Sequence, residues 1–262
     1  MSGEAAALGE AAAAWARSRR VADGVGEVRY REAGCGPPLV LVHGLGCSAD
    51  YWVRNGPWLA ARGFRVLAPD LPGFGRTPGP EGGLSIPAQA AAVARFADAL
   101  ELPRAVYVGH SLSCQSVLEL AAVRPERVAA LVLAAPTGDR RRKRLLRESV
   151  GFLRDIPREP LSIMPLIAQA YLRAGFTRWL RTWIAGKRHD SFAAAARVAA
   201  PALVLGGDRD PVVTVPFGEA LAGAIPGGRV EIVRGGTHAV IYATAGRFNE
   251  AVVRFLGGVA AS

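Results

Sequence analysis

The stretch "YVGHSLSCQS", residues 107–116, reads as an apolar strand that runs into a tight turn and then a helix. A serine, Ser111, stands at the tip of that turn. Such a turn holds the serine backbone in a strained conformation and lifts its hydroxyl clear of the sheet. The residues two positions away on each side must be small, because strand and helix nearly touch there. Gly109 meets the demand on one side. On the other, the usual glycine is replaced by Ser113, which adds one CH2OH group.

Outward from this turn, short apolar runs alternate with helix-length patterns. The runs are 38–44, 64–70, 104–111, 128–136, 201–208 and 229–236, and the helical patterns fall at 48–62, 85–100, 112–124, 216–224 and 244–256. Strands apolar on both faces and separated by helices predict a parallel sheet covered on both sides. "GEVRYREAG" at 26–34 alternates and predicts an antiparallel edge strand. Residues 1–20 predict an N-terminal helical extension, with Glu4 and Glu10 among alanines and no signal-peptide pattern. The alternation stops at 137–190. Here apolar residues recur at helical spacing and Pro157, Pro160 and Pro165 divide the segment, which predicts a helical lid inserted in a core of 21–136 and 191–262.

Composition narrows the classes. Half of the 262 residues are hydrophobic, enough for a full core. Three scattered cysteines without CxxC spacing argue against a disulfide framework or zinc site and for a reducing, cytoplasmic setting. No apolar run reaches membrane-spanning length. The net charge is +10, and residues 137–190 hold 13 of the 32 Lys and Arg but 5 of the 22 Asp and Glu. The run "GDRRRKRLLRES" at 138–149 invites a nucleic-acid reading, but no nucleic-acid motif accompanies it. A plain basic surface is the simplest account. A lid that draws in an anionic substrate, or docks an acidic carrier protein, is the functional alternative. There is no phosphate-loop or metal signature, so no cofactor is expected.

A nucleophilic serine needs a base and an acid. Of the four histidines, His110 adjoins Ser111 on the strand and points to the opposite face. His43 sits at the end of the first apolar run and His189 in the basic insertion. His238, in "RGGTHAV", lies on a glycine-loosened loop past the last apolar run and is the expected base. "LGGDRDPVV" offers Asp208 and Asp210. Asp210 lies further out on its loop, with Pro211 fixing the chain after it, and is the expected acid; Asp139 is an alternative. Oxyanion donors are expected from the backbone N–H groups of Leu112, at a helix start, and Leu45, in the turn "HGLG". His43 would then hold that turn. Trp179 and Trp183 in the lid are candidates to line an acyl pocket, beside the reading that they only fill the lid's interior.

The motifs "VHGLG", "PDLPGFGRT", "VGHSLS", "LGGDRDPVV" and "GGTHAV" come in the order and spacing of the α/β-hydrolase fold family. The chain resembles that family over about residues 26–256. Within it, the chain is similar to the cap-bearing group of carboxylesterases, carbon–carbon bond hydrolases, lactonases and cofactor-free haloperoxidases. The resemblance implies an α/β fold with a mostly parallel sheet and a helical lid after the sixth strand. It implies Ser111 as nucleophile, Asp210 as acid and His238 as base, with Leu45 and Leu112 as oxyanion donors. The implied activity is hydrolysis of an ester-like bond in a small molecule. A thioesterase, a lactonase, a carbon–carbon bond hydrolase or a slow ligand-binding protein on the same scaffold are the alternatives. A serine nucleophile argues against haloalkane dehalogenase and epoxide hydrolase chemistry, which uses aspartate in this family.

Overall fold

Apolar side chains on both faces of successive strands leave a sheet nothing to do but bury itself between two helical layers. A computed structural model describes residues 2–138 and 145–260 and has this arrangement. The strands are β1 (Ser18–Ala22), β2 (Glu27–Ala33), β3 (Pro38–Val42), β4 (Arg65–Pro69), β5 (Ala105–His110), β6 (Val128–Ala134), β7 (Ala202–Gly207) and β8 (Arg229–Val233). They form one sheet in the order β1-β2-β4-β3-β5-β6-β7-β8. β1 and β2 run antiparallel and the remaining neighbours from β4 to β8 are parallel. The alternation within β3 shows how the two cores divide. Val40 and Val42 face one cluster with Tyr107, Val117 and Leu133, while Leu39 and Leu41 face the other with Val108, Trp52 and Phe248.

The helices are α1 (Ser2–Ala16), α2 (Gly56–Ala60), α3 (Ile86–Ala99), α4 (Ser113–Val123), α5 (Leu145–Asp155), α6 (Met164–Ala174), α7 (Phe176–Arg188), α8 (Ser191–Ala195), α9 (Val215–Ala224), α10 (Val240–Ala243) and α11 (Ala245–Ala260). Several begin where local chemistry starts a helix. Ser85 caps α3 through its side chain, with Pro87 in the first turn, and Asp190 caps α8. α5, α6 and α7 lie between β6 and β7 in the chain, with α8 leading back to the sheet.

Three expectations need correction. The segment 26–34 is antiparallel, as β2, but it is not the edge. β1 lies outside it. β1 escapes a sequence reading because "SRRVA" is mostly exposed and shows no alternation. The same strand shortens the N-terminal helix, which ends at Ala16; Trp15 is 2% exposed and belongs to a core cluster. The helix expected at 48–62 is split into a 3-10 turn, Ala49–Arg54, and α2, with Pro57 at the start of α2. The basic run at 140–144 and the alternative acid Asp139 lie outside the described residues.

Candidate active site

The register β3–β5–β6 brings Val42, Gly109 and Leu133 side by side, so the strand ends form one shelf. Ser111 leaves that shelf with φ of 56°, a left-handed conformation that costs a non-glycine residue about 1–3 kcal/mol. The turn is as tight as the sequence demands. A Cβ at Gly109 would lie 2.8 Å from Val117 Cγ2 and 2.9 Å from the Cys114 backbone. Ser113 fits because its hydroxyl is fully used: it accepts the His110 N–H at 3.0 Å and donates to the Val42 carbonyl at 2.7 Å. The extra oxygen thus ties the turn to the end of β3.

Ser111, His238 and Asp210, from three separate segments, meet here. Ser111 Oγ lies 2.9 Å from His238 Nε2, and His238 Nδ1 lies 2.9 Å from Asp210 Oδ2. With a carboxylate on Nδ1, the proton sits there, and Nε2 is left to accept from the serine. Asp210 is held by the Val212 and Val213 amides, both bonded to Oδ1 at 2.7 and 2.9 Å. Asp208 takes no part; its Oδ1 accepts the Gly235 N–H and joins the two loops. Burial pushes the His238 imidazole down, but the charge and hydrogen bond of Asp210, with smaller help from Asp155 and Glu159, carry it above its ordinary value.

Of the other histidines, two brace this arrangement and one lies apart from it. His43 donates from Nδ1 to the Gly44 carbonyl at 2.8 Å and accepts the Leu71 N–H at Nε2 at 2.9 Å, so it braces the turn that bears Leu45. His110 lies under the site. The Gly44 N–H donates to the Tyr51 hydroxyl at 2.8 Å, Tyr51 donates to His110 Nδ1 at 3.0 Å, and His110 Nε2 donates to the His238 carbonyl at 2.9 Å. Burial, then the neighbouring His238, hold His110 down at about 3, so it stays neutral. His189 pairs with Glu119, away from the site.

A small cavity opens beside Ser111. Leu45, Leu112, Gln115, Phe152, Trp183 and Lys187 are among its lining residues. Its volume of about 20 Å³ holds little more than one water. Neither the Leu45 nor the Leu112 amide donates a hydrogen bond among the described residues. Both are therefore available to an oxygen placed next to Ser111, and Leu112 adds the start of α4 behind it. The two tryptophans of α7 are stacked, with ring centroids 6.2 Å apart, but they differ in place. Trp183 lines the cavity, whereas Trp179 covers Gly46, whose added Cβ would lie 3.0 Å from its ring.

Sequence reasoning did not single out Tyr51, Gln115, Asp155, Glu159 or Lys187 as parts of this site. Gln115 lies on the first turn of α4, within the elbow itself, whereas the other four reach the site only through tertiary contacts. Among the described residues, no group of three or more His, Cys, Asp and Glu converges as an ion site, and no helix is long and apolar enough to cross a membrane.

The chain belongs to the alpha/beta hydrolase fold family, whose model matches residues 37–193; a model for TAP-like proteins matches residues 173–258. An uncharacterized protein of Mycobacterium tuberculosis is 26% identical over 87% of this chain and 77% of its own. Among solved structures, a bacterial membrane phospholipase A is 25% identical, covering 99% of this chain and 93% of that one, with a TM-score of 0.82. A serine hydrolase involved in carbazole degradation is 26% identical over 92% and 98%, with a TM-score of 0.76.

Proposed function

We propose that the protein is a serine hydrolase that cleaves a carboxylic ester-like bond in a small molecule through an acyl-enzyme. The observation that carries this reading is the unbroken relay from Ser111 through His238 to Asp210, at 2.9 Å for each bond. His238 takes the proton of Ser111 Oγ as that oxygen attacks the carbonyl carbon. The Leu45 and Leu112 amides hold the oxyanion. His238 then returns the proton to the departing alcohol, and the acyl group stays on Ser111. Water, deprotonated by His238, attacks the acyl carbon, releases the acid and restores the serine. Asp210 keeps the imidazole in the right tautomer and balances its charge. In this reading 21–136 and 191–262 are the core, 137–190 is a helical lid and 1–20 is an N-terminal helical extension. The cavity beside Ser111 is small, and in this reading the segment over it moves to admit the substrate.

The experiment is labelling by a fluorophosphonate read by mass spectrometry. Wild type should label stoichiometrically at Ser111; Ser111→Ala and His238→Ala should not, and Asp210→Asn should label slowly. A folded wild type that stays unlabelled sinks the reading and favours a ligand-binding role.

The same relay serves a thioester, a lactone or a carbon–carbon bond. Lys187 in the cavity lining favours an anionic member of that set, and an acidic carrier protein could present one. Equal activity on neutral and anionic esters at low and high salt would remove this preference. We place the protein in the cytoplasm, a reading supported by Cys35, Cys47 and Cys114, all free thiols. Cell fractionation checks it.

A further inference from the structure

Asp155 ends α5, and Glu159 follows one turn later, after the 3-10 turn Ile156–Arg158. Their neighbours Leu153, Arg154, Ile156 and Arg158 are exposed, yet both acids are buried. A buried carboxyl is costly unless something pairs with it. These two are paired with backbone. Asp155 Oδ1 accepts the His238 N–H at 3.3 Å, and Glu159 Oε1 accepts the Ala239 N–H at 2.9 Å. Two lid carboxyls thus take consecutive amides of the loop that carries His238. From the other side, the core holds the His238 carbonyl through His110.

The same helix touches the site twice more. The Phe152 ring meets the His238 imidazole edge-on, with centroids 5.2 Å apart and planes at 89°. Gly151 passes so close to the Asp210 loop that a Cβ there would lie 2.7 Å from the Pro211 carbonyl oxygen and 3.0 Å from Val212 Cα. α5 therefore abuts both the loop of the base and the loop of the acid.

We propose that Asp155 and Glu159 are positioning residues, through which closure of the lid sets the His238 imidazole between Ser111 and Asp210. This rests on the reading of those three residues as a working triad. With the lid shut, the His238 backbone is fixed at both its carbonyl and its amide. With the lid lifted, only the carbonyl tether to the core remains. Full basicity and alignment then coincide with an enclosed substrate, when bulk water is excluded.

The ionisation of the pair fits this role. Burial, then the adjacent Glu159 carboxylate, push Asp155 up to about 7. No donor among the described residues reaches Glu159 Oε2, and a proton shared by the two carboxyls would satisfy it. The groups that face the pair are His238, with Asp210 behind it and neutral His110 beneath; Arg154 and Arg158, on the pair's own segment, are exposed. Loss of the shared proton leaves two like charges in a buried site and loosens the latch. In Asp155→Asn the amide can both accept from His238 and donate to Glu159 at any pH.

The test compares wild type with Asp155→Ala, Asp155→Asn, Glu159→Ala and Glu159→Gln. It reads p-nitrophenyl acetate hydrolysis from pH 6 to 9, fluorophosphonate labelling, and the 15N-coupled His238 Nδ1–H proton by NMR. The alanine variants should lose about ten- to a hundredfold in kcat with KM changed less than about twofold, and their Nδ1–H signal should broaden. The amide variants should recover most of that kcat. The wild-type fall in kcat above neutral pH should flatten in Asp155→Asn. Alanine variants with wild-type kcat and an intact Nδ1–H signal would overturn the proposal, as would amide variants no better than alanine. If the alanine variants do not fold, an alkaline fall that persists in Asp155→Asn overturns it. Absence of labelling in wild type would instead sink the triad reading, and the Nδ1–H signal would still decide whether the pair holds His238.

Discussion

His110 Nε2 donates to the carbonyl of His238 at 2.9 Å, so the residue before Ser111 holds the backbone of the residue that faces Ser111. Its other nitrogen meets Tyr51, which in turn accepts the amide of Gly44. One chain of three hydrogen bonds therefore joins the turn bearing Leu45 to the loop bearing His238. In the proposed mechanism both carry groups that must be in place before reaction, and a fixed scaffold lowers the cost of arranging them.

Cutting this chain should lower turnover more than binding. In His110→Phe the ring volume remains but both bonds are lost, and Tyr51 is left short of a partner. We expect kcat for p-nitrophenyl acetate to fall about tenfold or more with KM nearly unchanged, and stability to fall by about 1–3 kcal/mol. Steady-state kinetics and urea unfolding check the two parts.

The elbow tolerates Ser113 but should not tolerate a side chain at Gly109. In Gly109→Ala the new methyl meets Val117 and the Cys114 backbone at less than 3 Å. A loss of about 1–3 kcal/mol is expected, with slowed labelling of Ser111. Ser113→Ala strands the His110 N–H and should cost about 1–2 kcal/mol while labelling persists. Denaturant titration beside fluorophosphonate labelling separates the two effects.

The base limb of the rate has a predictable direction. His238 must be neutral to take the serine proton, and its pKa is raised mainly because Asp210 outweighs burial. The value of kcat/KM should therefore rise with pH through a midpoint above about 6.5. Asp210→Asn should move that midpoint down as well as cutting the rate. The same shift contributes stability that is fully present below the unfolded pKa and is lost as pH rises through the folded one. A pH–rate profile of both proteins is the check.

Asp155 should leave its own mark on stability. Its folded pKa, about 7, lies above the ordinary 3.8. Between those values the folded protein keeps a proton that the unfolded chain has released. This group's contribution is thus fully present below about pH 4 and is lost as pH rises to about 7. Melting temperatures of wild type and Asp155→Asn across that range should converge toward a constant difference above pH 7.

Trp183 should set the room for the acyl group. It lines the cavity beside Ser111 while Trp179 does not. Trp183→Ala should raise kcat/KM for hexanoate relative to acetate esters, and Trp179→Ala should change that ratio little. A chain-length series of p-nitrophenyl esters measures it.

Much of this protein is legible along the chain. Runs such as Pro38–Val42 and Ala105–His110 are apolar on both faces, which only a covered parallel sheet satisfies. Gly109 before Ser111, Asp210 before a proline and His238 on a glycine loop stand at strand ends, where local geometry limits which residues can serve. β1 was not legible, because an exposed edge strand needs no apolar pattern. Nor was the placement of Asp155 and Glu159, which by composition are two acids among arginines. Their burial and their hold on the His238 and Ala239 amides arise where the end of α5 and the turn after it meet a loop some eighty residues further on. Local pattern determines which segments become strands, turns and helices, since backbone sterics and hydrophobic periodicity act over a few residues. The tertiary structure alone decides which distant polar groups share a buried space, because there every donor and acceptor must find a partner that sequence proximity does not supply.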